Sequence, residues 1–173
     1  MKKFTAILLI AVMLTVSLGA LAYPPTDEIN VYLDGERLDF DVPPVIVDGR
    51  TLVPARSIFE ALEFEIEWTD ETQTVRARRR IVTVASRHHL SITMQIGNAN
   101  MSLAQWVTPE PTTPGAPVSG IVWDYNTYTI TLDVPPIIVD SRTLVPLRAI
   151  SEATGAEVDW CGETQTVLIN TAH

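Results

Sequence analysis

Residues 41–77 recur at residues 133–169, 92 positions later, without a gap and with about 23 of 37 positions identical. Asp41-Val42-Pro43-Pro44 returns as Asp133-Val134-Pro135-Pro136, and Arg50-Thr51-Leu52-Val53-Pro54 as Arg142-Thr143-Leu144-Val145-Pro146. Trp68 returns as Trp160, and Glu71-Thr72-Gln73-Thr74-Val75 as Glu163-Thr164-Gln165-Thr166-Val167. A weaker match reaches back to Ile29 and Ile121. One supersecondary unit is therefore written twice, which limits the fold to arrangements that use the unit in duplicate. A unit of about 50 residues buries little core by itself, so the two copies must share a sheet or pack together.

The residue pattern gives each copy strands, a short helix and a closing hairpin. Ile29, Val31 and Leu33 alternate with polar or aromatic residues, the period of a strand. Asp34-Gly35 signals a hairpin, with Leu38 and Phe40 on the return strand. Val45-Ile46-Val47 and Thr51-Leu52-Val53 flank the turn Asp48-Gly49-Arg50. Pro54 suits the first turn of a helix over residues 56–62, whose apolar face is Ile58, Ala61 and Leu62. Gly155 ends the second helix as a C′ glycine, whereas the first copy has Glu63 there. Residues 65–68 and 74–77 form the closing hairpin, repeated at 157–160 and 166–169. The fold class expected is α+β: two tandem ββαββ-type repeats, each a short helix packed on an antiparallel sheet.

Between the copies, residues 80–86 and 90–96 read as two further strands. Residues 107–120 hold a Pro/Thr-rich stretch that cannot join a sheet or helix. The division expected is a leader at 1–22, a first repeat with extra strands at 23–106, a linker at 107–120 and a second repeat at 121–173.

The string DVPPxIVDxRTLVPxRxIxEA…W…ETQTV resembles the copper amine oxidase N-terminal-like domain, a family of secreted and cell-surface proteins of Gram-positive bacteria. The resemblance covers residues 29–169. It implies a non-catalytic α+β module in which each repeat packs a helix on an antiparallel sheet. Three features depart from the pattern: Glu63 at the first helix end, Tyr125-Asn126-Thr127 where an Asn-Gly-type hairpin is expected, and the inserted Pro/Thr stretch.

The N-terminus reads as a secretory signal. Lys2 and Lys3 precede an apolar run over residues 4–18, and Ala20-Leu21-Ala22 supplies the small residues of a cleavage site. The alternative is an uncleaved membrane anchor, since residues 4–22 are nearly long enough to span a bilayer. Cleavage after Ala22 would remove the only two lysines and leave ten Arg against 21 acidic residues, a net charge of −11. Such a chain should avoid nucleic acid and anionic lipid. Export to the cell wall or medium is expected, with a cell-envelope protein or a wall polysaccharide as partner and no membrane association after cleavage.

Catalytic constellations are missing from the sequence. There is no Gly-x-Ser-x-Gly elbow and no Gly-rich phosphate loop. Three histidines exist, His88, His89 and His173; the adjacent pair points to opposite faces of a strand, so no metal site and no cofactor are expected. The Tyr of the oxidase quinone lies in an Asn-Tyr-Asp/Glu context, and here Asp124-Tyr125-Asn126 has the wrong order. A non-catalytic protein-interaction or scaffolding module is the leading expectation, carbohydrate or anionic wall-polymer binding the alternative, and a metal-dependent enzyme a remote third.

Candidate residues follow from what is and is not duplicated. Arg50, Arg142, Arg56 and Arg148 recur beside acidic residues and read as structural, satisfying carboxylates or carbonyls within the fold; Arg56 and Glu60 are spaced to pair. Trp68 and Trp160 are expected to cap the core beside each helix. Arg76, Arg78 and Arg80 are not duplicated and would share one face of a strand, as a solvated edge or as a contact for an anionic polymer. Trp123, Tyr125 and Tyr128 lie close enough to form an aromatic row for sugar rings, with packing as the plainer use. Cys161, the single cysteine, is expected to be exposed, as an inert thiol or as the link of a disulfide-bonded dimer.

Overall fold

A computed structural model describes residues 28–83, 86–109 and 122–171. The leader, most of the Pro/Thr stretch and His173 lie outside the described residues. The elements run β1 (Asn30–Leu33), β2 (Glu36–Arg37), β3 (Val45–Val47), β4 (Arg50–Pro54), α1 (Ala55–Ala61), β5 (Glu65–Thr69), β6 (Thr74–Val82), β7 (Ser86–Gln95), β8 (Asn100–Pro109), β9 (Trp123–Thr131), β10 (Ile137–Val139), β11 (Arg142–Pro146), α2 (Leu147–Ala153), β12 (Glu157–Cys161) and β13 (Thr166–Asn170). The described chain is mostly sheet with two short helices, an α+β fold.

The duplicated Arg-Thr-Leu-Val-Pro strands pair with each other. β4 and β11 run antiparallel with Val53 opposite Val145, Leu52 opposite Pro146 and Pro54 opposite Leu144. Each residue thus faces the counterpart of its mirror position, and a local two-fold axis passes between Val53 and Val145. With the flanking β3 and β10 this makes a central four-stranded sheet, β10-β11-β4-β3. Side chains alternate across it. Val53 and Val145 join the main core, while Leu52 and Leu144 join a smaller cluster with Val134 on the other side.

Ion pairs obey the same axis. Arg50 Nε donates to Asp133 Oδ2 at 2.6 Å, and Arg142 Nε donates to Asp41 Oδ2 at 2.5 Å. Each bridge joins one copy to the other. The Arg142 hydrogen bond is the main cause that holds the Asp41 carboxyl below its usual range. All four side chains are about half exposed or more, so these pairs orient the copies and add little to stability.

Each helix then crosses onto its neighbour's strand. α1 packs on β4, β5 and β11, and α2 on β11, β12 and β4. Ile58 and Ile150 are fully buried in a single cluster that also takes Val31, Val167 and Ile169 from one outer sheet and Val75, Ile92, Met94 and Met101 from the other. Both copies therefore build one core. Position 59 is the fully buried Phe59, but its counterpart is Ser151, whose buried hydroxyl has no hydrogen-bond partner among the described residues.

The closing hairpins go to different sheets. β12 and β13 form a small sheet, β12-β13-β1-β2, in which the first copy's β1 runs parallel to the second copy's β13. β5 and β6 open a larger sheet, β5-β6-β7-β8-β9, that ends on the second copy's β9. The expectation that each repeat packs its helix on its own antiparallel sheet is corrected accordingly: first strands are exchanged between copies, and one pairing is parallel.

Other expectations are corrected at particular residues. Tyr125-Asn126-Thr127 makes no hairpin; β9 runs straight through it, because the turn in the first copy uses Asp34 and Gly35 at φ of 49° and 86° and position 127 has no glycine. The return strand β2 covers only residues 36–37, although Leu38 still donates its N–H to Val31 O. β8 is an additional strand that reaches Pro109, so residues 107–109 belong to the sheet and not to a linker. Pro54 and Pro146 are N-cap residues with extended ψ, one place before the helix proper.

Both helices end alike. Glu63 N–H donates to Glu60 O and Phe64 N–H to Phe59 O; Gly155 and Ala156 repeat this with Glu152 and Ser151. This is the Schellman arrangement, which places its C′ residue in the left-handed region. Glu63 adopts φ 62° there and Gly155 φ 88°, with open space where a Cβ on Gly155 would sit. The difference between the ends is therefore a backbone cost and not a packing one. Glu63→Gly is expected to stabilise the protein by about 1 kcal/mol and Gly155→Glu to destabilise it by about as much. Denaturant midpoints for the two variants check this; equal midpoints for wild type and Glu63→Gly would contradict it.

Candidate functional site

The site is the outward face of the large sheet, and strand register builds it. Val75 and Ala77 on β6, Ile92 and Met94 on β7, and Met101 and Leu103 on β8 point into the core. Strict alternation then sends Arg76, Arg78, Arg80, Ser91, Thr93, Ser102, Ala104 and Trp106 the other way. Three cross-strand rows result. Arg76 aligns with Thr93, Ser102 and Thr129; Arg78 with Ser91, Ala104 and Thr127; Arg80 with His89, Trp106 and Tyr125.

Each row starts at an arginine on β6. Two rows cross a floor of hydroxyls and one small apolar residue, and the third crosses a histidine to reach two aromatics. The floor lies below its rims because Ser, Thr and Ala are short while Arg, Trp and Tyr are long. A shallow trough of about 470 Å³ opens between Arg76 and Arg78 on one side and Trp106 and Tyr125 on the other.

The arginines differ in their partners. Arg78 Nη2 donates to Glu67 Oε2 at 2.5 Å, an exposed pair on the edge strand β5. Among the described residues, no carboxylate pairs with Arg76 or Arg80. Arg79 points the opposite way and is structural: it donates to Leu62 O at the end of α1 and lies over the Phe64 ring at 4.9 Å.

His89 stacks flat on Trp106, with centroids 5.0 Å apart and planes 1° from parallel, and its Nε2 shares a hydrogen bond with Thr108 Oγ1 at 3.0 Å. Trp106 in turn meets Tyr125 at 6.4 Å in a tilted contact. Partial burial lowers the His89 pKa below 6.5, and the positive charges of Arg80, Arg87 and His88 lower it further. His88 takes the opposite face of β7 and meets Ser86. Among the described residues no three His, Cys, Asp or Glu side chains converge as a metal site would require.

The remaining candidates are scattered. Arg50 and Arg142 make the bridges between copies. Arg148 pairs with Glu152 at 3.5 Å, while among the described residues Arg56 has no such partner. Trp68 and Trp160 do not cap the core: they are 37% and 41% exposed, because among the described residues their edge strands have no neighbour on one flank. Trp68 Nε1 donates to Asp70 Oδ1, and Trp160 lines a second cleft of about 840 Å³ with Leu147, Ala153 and Val158. Trp123 begins β9, and its side chain lies outside the described residues. Tyr125 is 64% exposed on the trough rim, and Tyr128 is on the other side of the sheet, aligned with Leu103. Cys161 is exposed, and hydrogen bonding to Thr164 lowers its thiol pKa.

The sequence puts the three arginines on one face of a strand and Trp123, Tyr125 and Tyr128 in a separate row; the structure brings Tyr125 together with the arginines across the sheet, and adds Trp106. Trp106 was not singled out, since its strand went unrecognised. The alternation of Met101 and Leu103 with Ser102 and Ala104 was the available signal.

The family model for the copper amine oxidase N-terminal domain matches residues 32–114 and 122–173. The chain belongs to this family. No curated protein and no solved structure matches it. The copper amine oxidase N-terminal domain is an accessory unit, non-catalytic in itself. Its duplicated motif residues, such as Arg50 and Arg142, build the fold, whereas the trough is made of residues outside the duplicated stretch or altered within it.

His89 supplies a direct test of the trough's electrostatics. In unfolded chain the imidazole takes its proton near pH 6.5, and in the folded protein only at lower pH. Stability tied to neutral His89 is therefore present above pH 6.5 and declines as pH falls below it. An NMR titration should place the His89 midpoint below 6.5, and Arg80→Gln should raise it. A midpoint at or above 6.5 would contradict the packing against Trp106.

Proposed function

We propose that this copper amine oxidase N-terminal domain protein is a non-catalytic, exported cell-envelope module. In this reading it binds an anionic wall polymer on the outward face of the large sheet. The observation that carries the reading is the set of three rows, which gathers Arg76, Arg78 and Arg80 opposite Trp106 and Tyr125 across a hydroxyl floor. Arginine forks suit phosphate or carboxylate oxygens, serine and threonine suit sugar hydroxyls, and aromatic rims suit the apolar faces of pyranose rings. On a chain of net charge −9 this is a concentrated basic surface, so attraction to a polyanion is local to it. The Lys2-Lys3 leader with its Ala20-Leu21-Ala22 site supports export.

A second reading, protein interaction or scaffolding, rests on the cleft beside α2. Its apolar walls and the half-exposed Trp160 suit a partner's apolar side chain. A disulfide-linked dimer through the exposed Cys161 is the remaining proposal for a partner.

Co-sedimentation with purified Gram-positive cell wall separates these readings. The protein should pellet with wall at low salt and less at high salt. The triple variant R76S/R78S/R80S and Trp106→Ala should each lose binding about tenfold or more, with folding unchanged by circular dichroism. Equal binding by the triple variant, or no binding by any form, would contradict the reading.

A further inference from the structure

The edges of the three sheets are guarded unequally. β5 carries Glu65 and Glu67, and β12 carries Glu157 and Asp159. β2 has two residues, both charged, and β3 and β10 have three residues each. Charge and shortness are the usual protections of an open edge. β9 has neither. It is nine residues long, ends the large sheet among the described residues, and is uncharged from Tyr125 to Thr131. Its Asp124, at φ 53° opposite the register shift between Trp106 and Val107, bends only its first end away.

We propose that β9 pairs antiparallel with β9 of a second copy of this chain. Thr127-Tyr128-Thr129 reads the same in both directions. Pairing centred on Tyr128 sets Thr127 against the second copy's Thr129 and Tyr125 against its Thr131. Threonine pairs and aromatic–β-branched pairs are favourable cross-strand neighbours. Tyr128, now 50% exposed, lies against its own counterpart. The chain already uses this geometry internally, where Val53 faces Val145 across the local two-fold axis. Two acidic molecules repel elsewhere, but this strand brings no like charges together.

An axis normal to the sheet keeps both troughs on one side of a continuous sheet. A long polymer then meets two sites at once, which raises avidity without new contacts. In this respect the inference deepens the proposed binding role, but the pairing itself is measured without any ligand.

Sedimentation velocity on the Cys161→Ser protein, as its expression host releases it, tests the pairing. A concentration-dependent dimer is expected, and T127K/T129K should remain monomeric because the new lysines face like charge. Tyr128→Cys in the same background should form a disulfide-linked dimer under diamide, since opposed Cα atoms in such a pair are about 4.5–5.5 Å apart. Thr72→Cys, in the turn after β5, should not. If the lysine variant misfolds, the Tyr128→Cys cross-link decides. A Cys161→Ser protein that stays monomeric at every concentration, a persisting dimer in folded T127K/T129K, or cross-linking no better at 128 than at 72 would each overturn the proposal. Loss of wall binding by the triple arginine variant with dimerisation intact would separate the two readings.

Discussion

The pairing of β4 with β11 is the contact on which the rest of the structure depends. Val53 and Val145 are fully buried and face each other across the local axis. From that pair the two copies diverge through Pro54 and Pro146 into helices that each pack on the other copy's strand. Neither copy has a complete core without this contact. Its energy comes mainly from burial of the Val, Ile and Leu side chains, roughly 1.5–3 kcal/mol for each fully buried one. The two exposed Arg–Asp bridges contribute direction more than stability.

What the symmetric centre does not dictate is the outer sheets, where the copies part company. On one side β1 inserts directly beside β13. On the other, β7 and β8 intervene between β6 and β9. The inserted pair widens the sheet and supplies the hydroxyl floor, His89 and Trp106. It also separates the arginines of β6 from Tyr125 by two intervening strands, roughly 14 Å at normal strand spacing. A span of that width accommodates more than one sugar ring between the two rims.

The duplicated parts of this fold were legible in the sequence because their signals are local. Arg50–Pro54, the helix at Ile58 and the closing hairpin that starts at Glu65–Thr69 follow from alternation and proline placement, whereas the left-handed end at Glu63 did not, because glutamate there leaves the helix end open. The exchange of first strands was not legible, since strand pairing between distant segments leaves no mark on local pattern. Nor was the straight course of β9, where a weak turn sequence lost to the ladder offered by β8. Arg76, Arg78 and Arg80 could be put on one face from period two alone. Their aromatic partner could not be named, because it depends on a register across β7 and β8.

The central functional claim is that ligand contacts fall on the Arg76–Tyr125 trough and not on the cleft beside α2. Chemical-shift mapping with a soluble, phosphate-bearing wall glycan tests it most directly. The account predicts perturbations concentrated at Arg76, Arg78, Ser91, Thr93, Trp106 and Tyr125, with the α2 face unchanged. Shifts centred on Leu147, Val158 and Trp160, or none at saturating glycan, would contradict it.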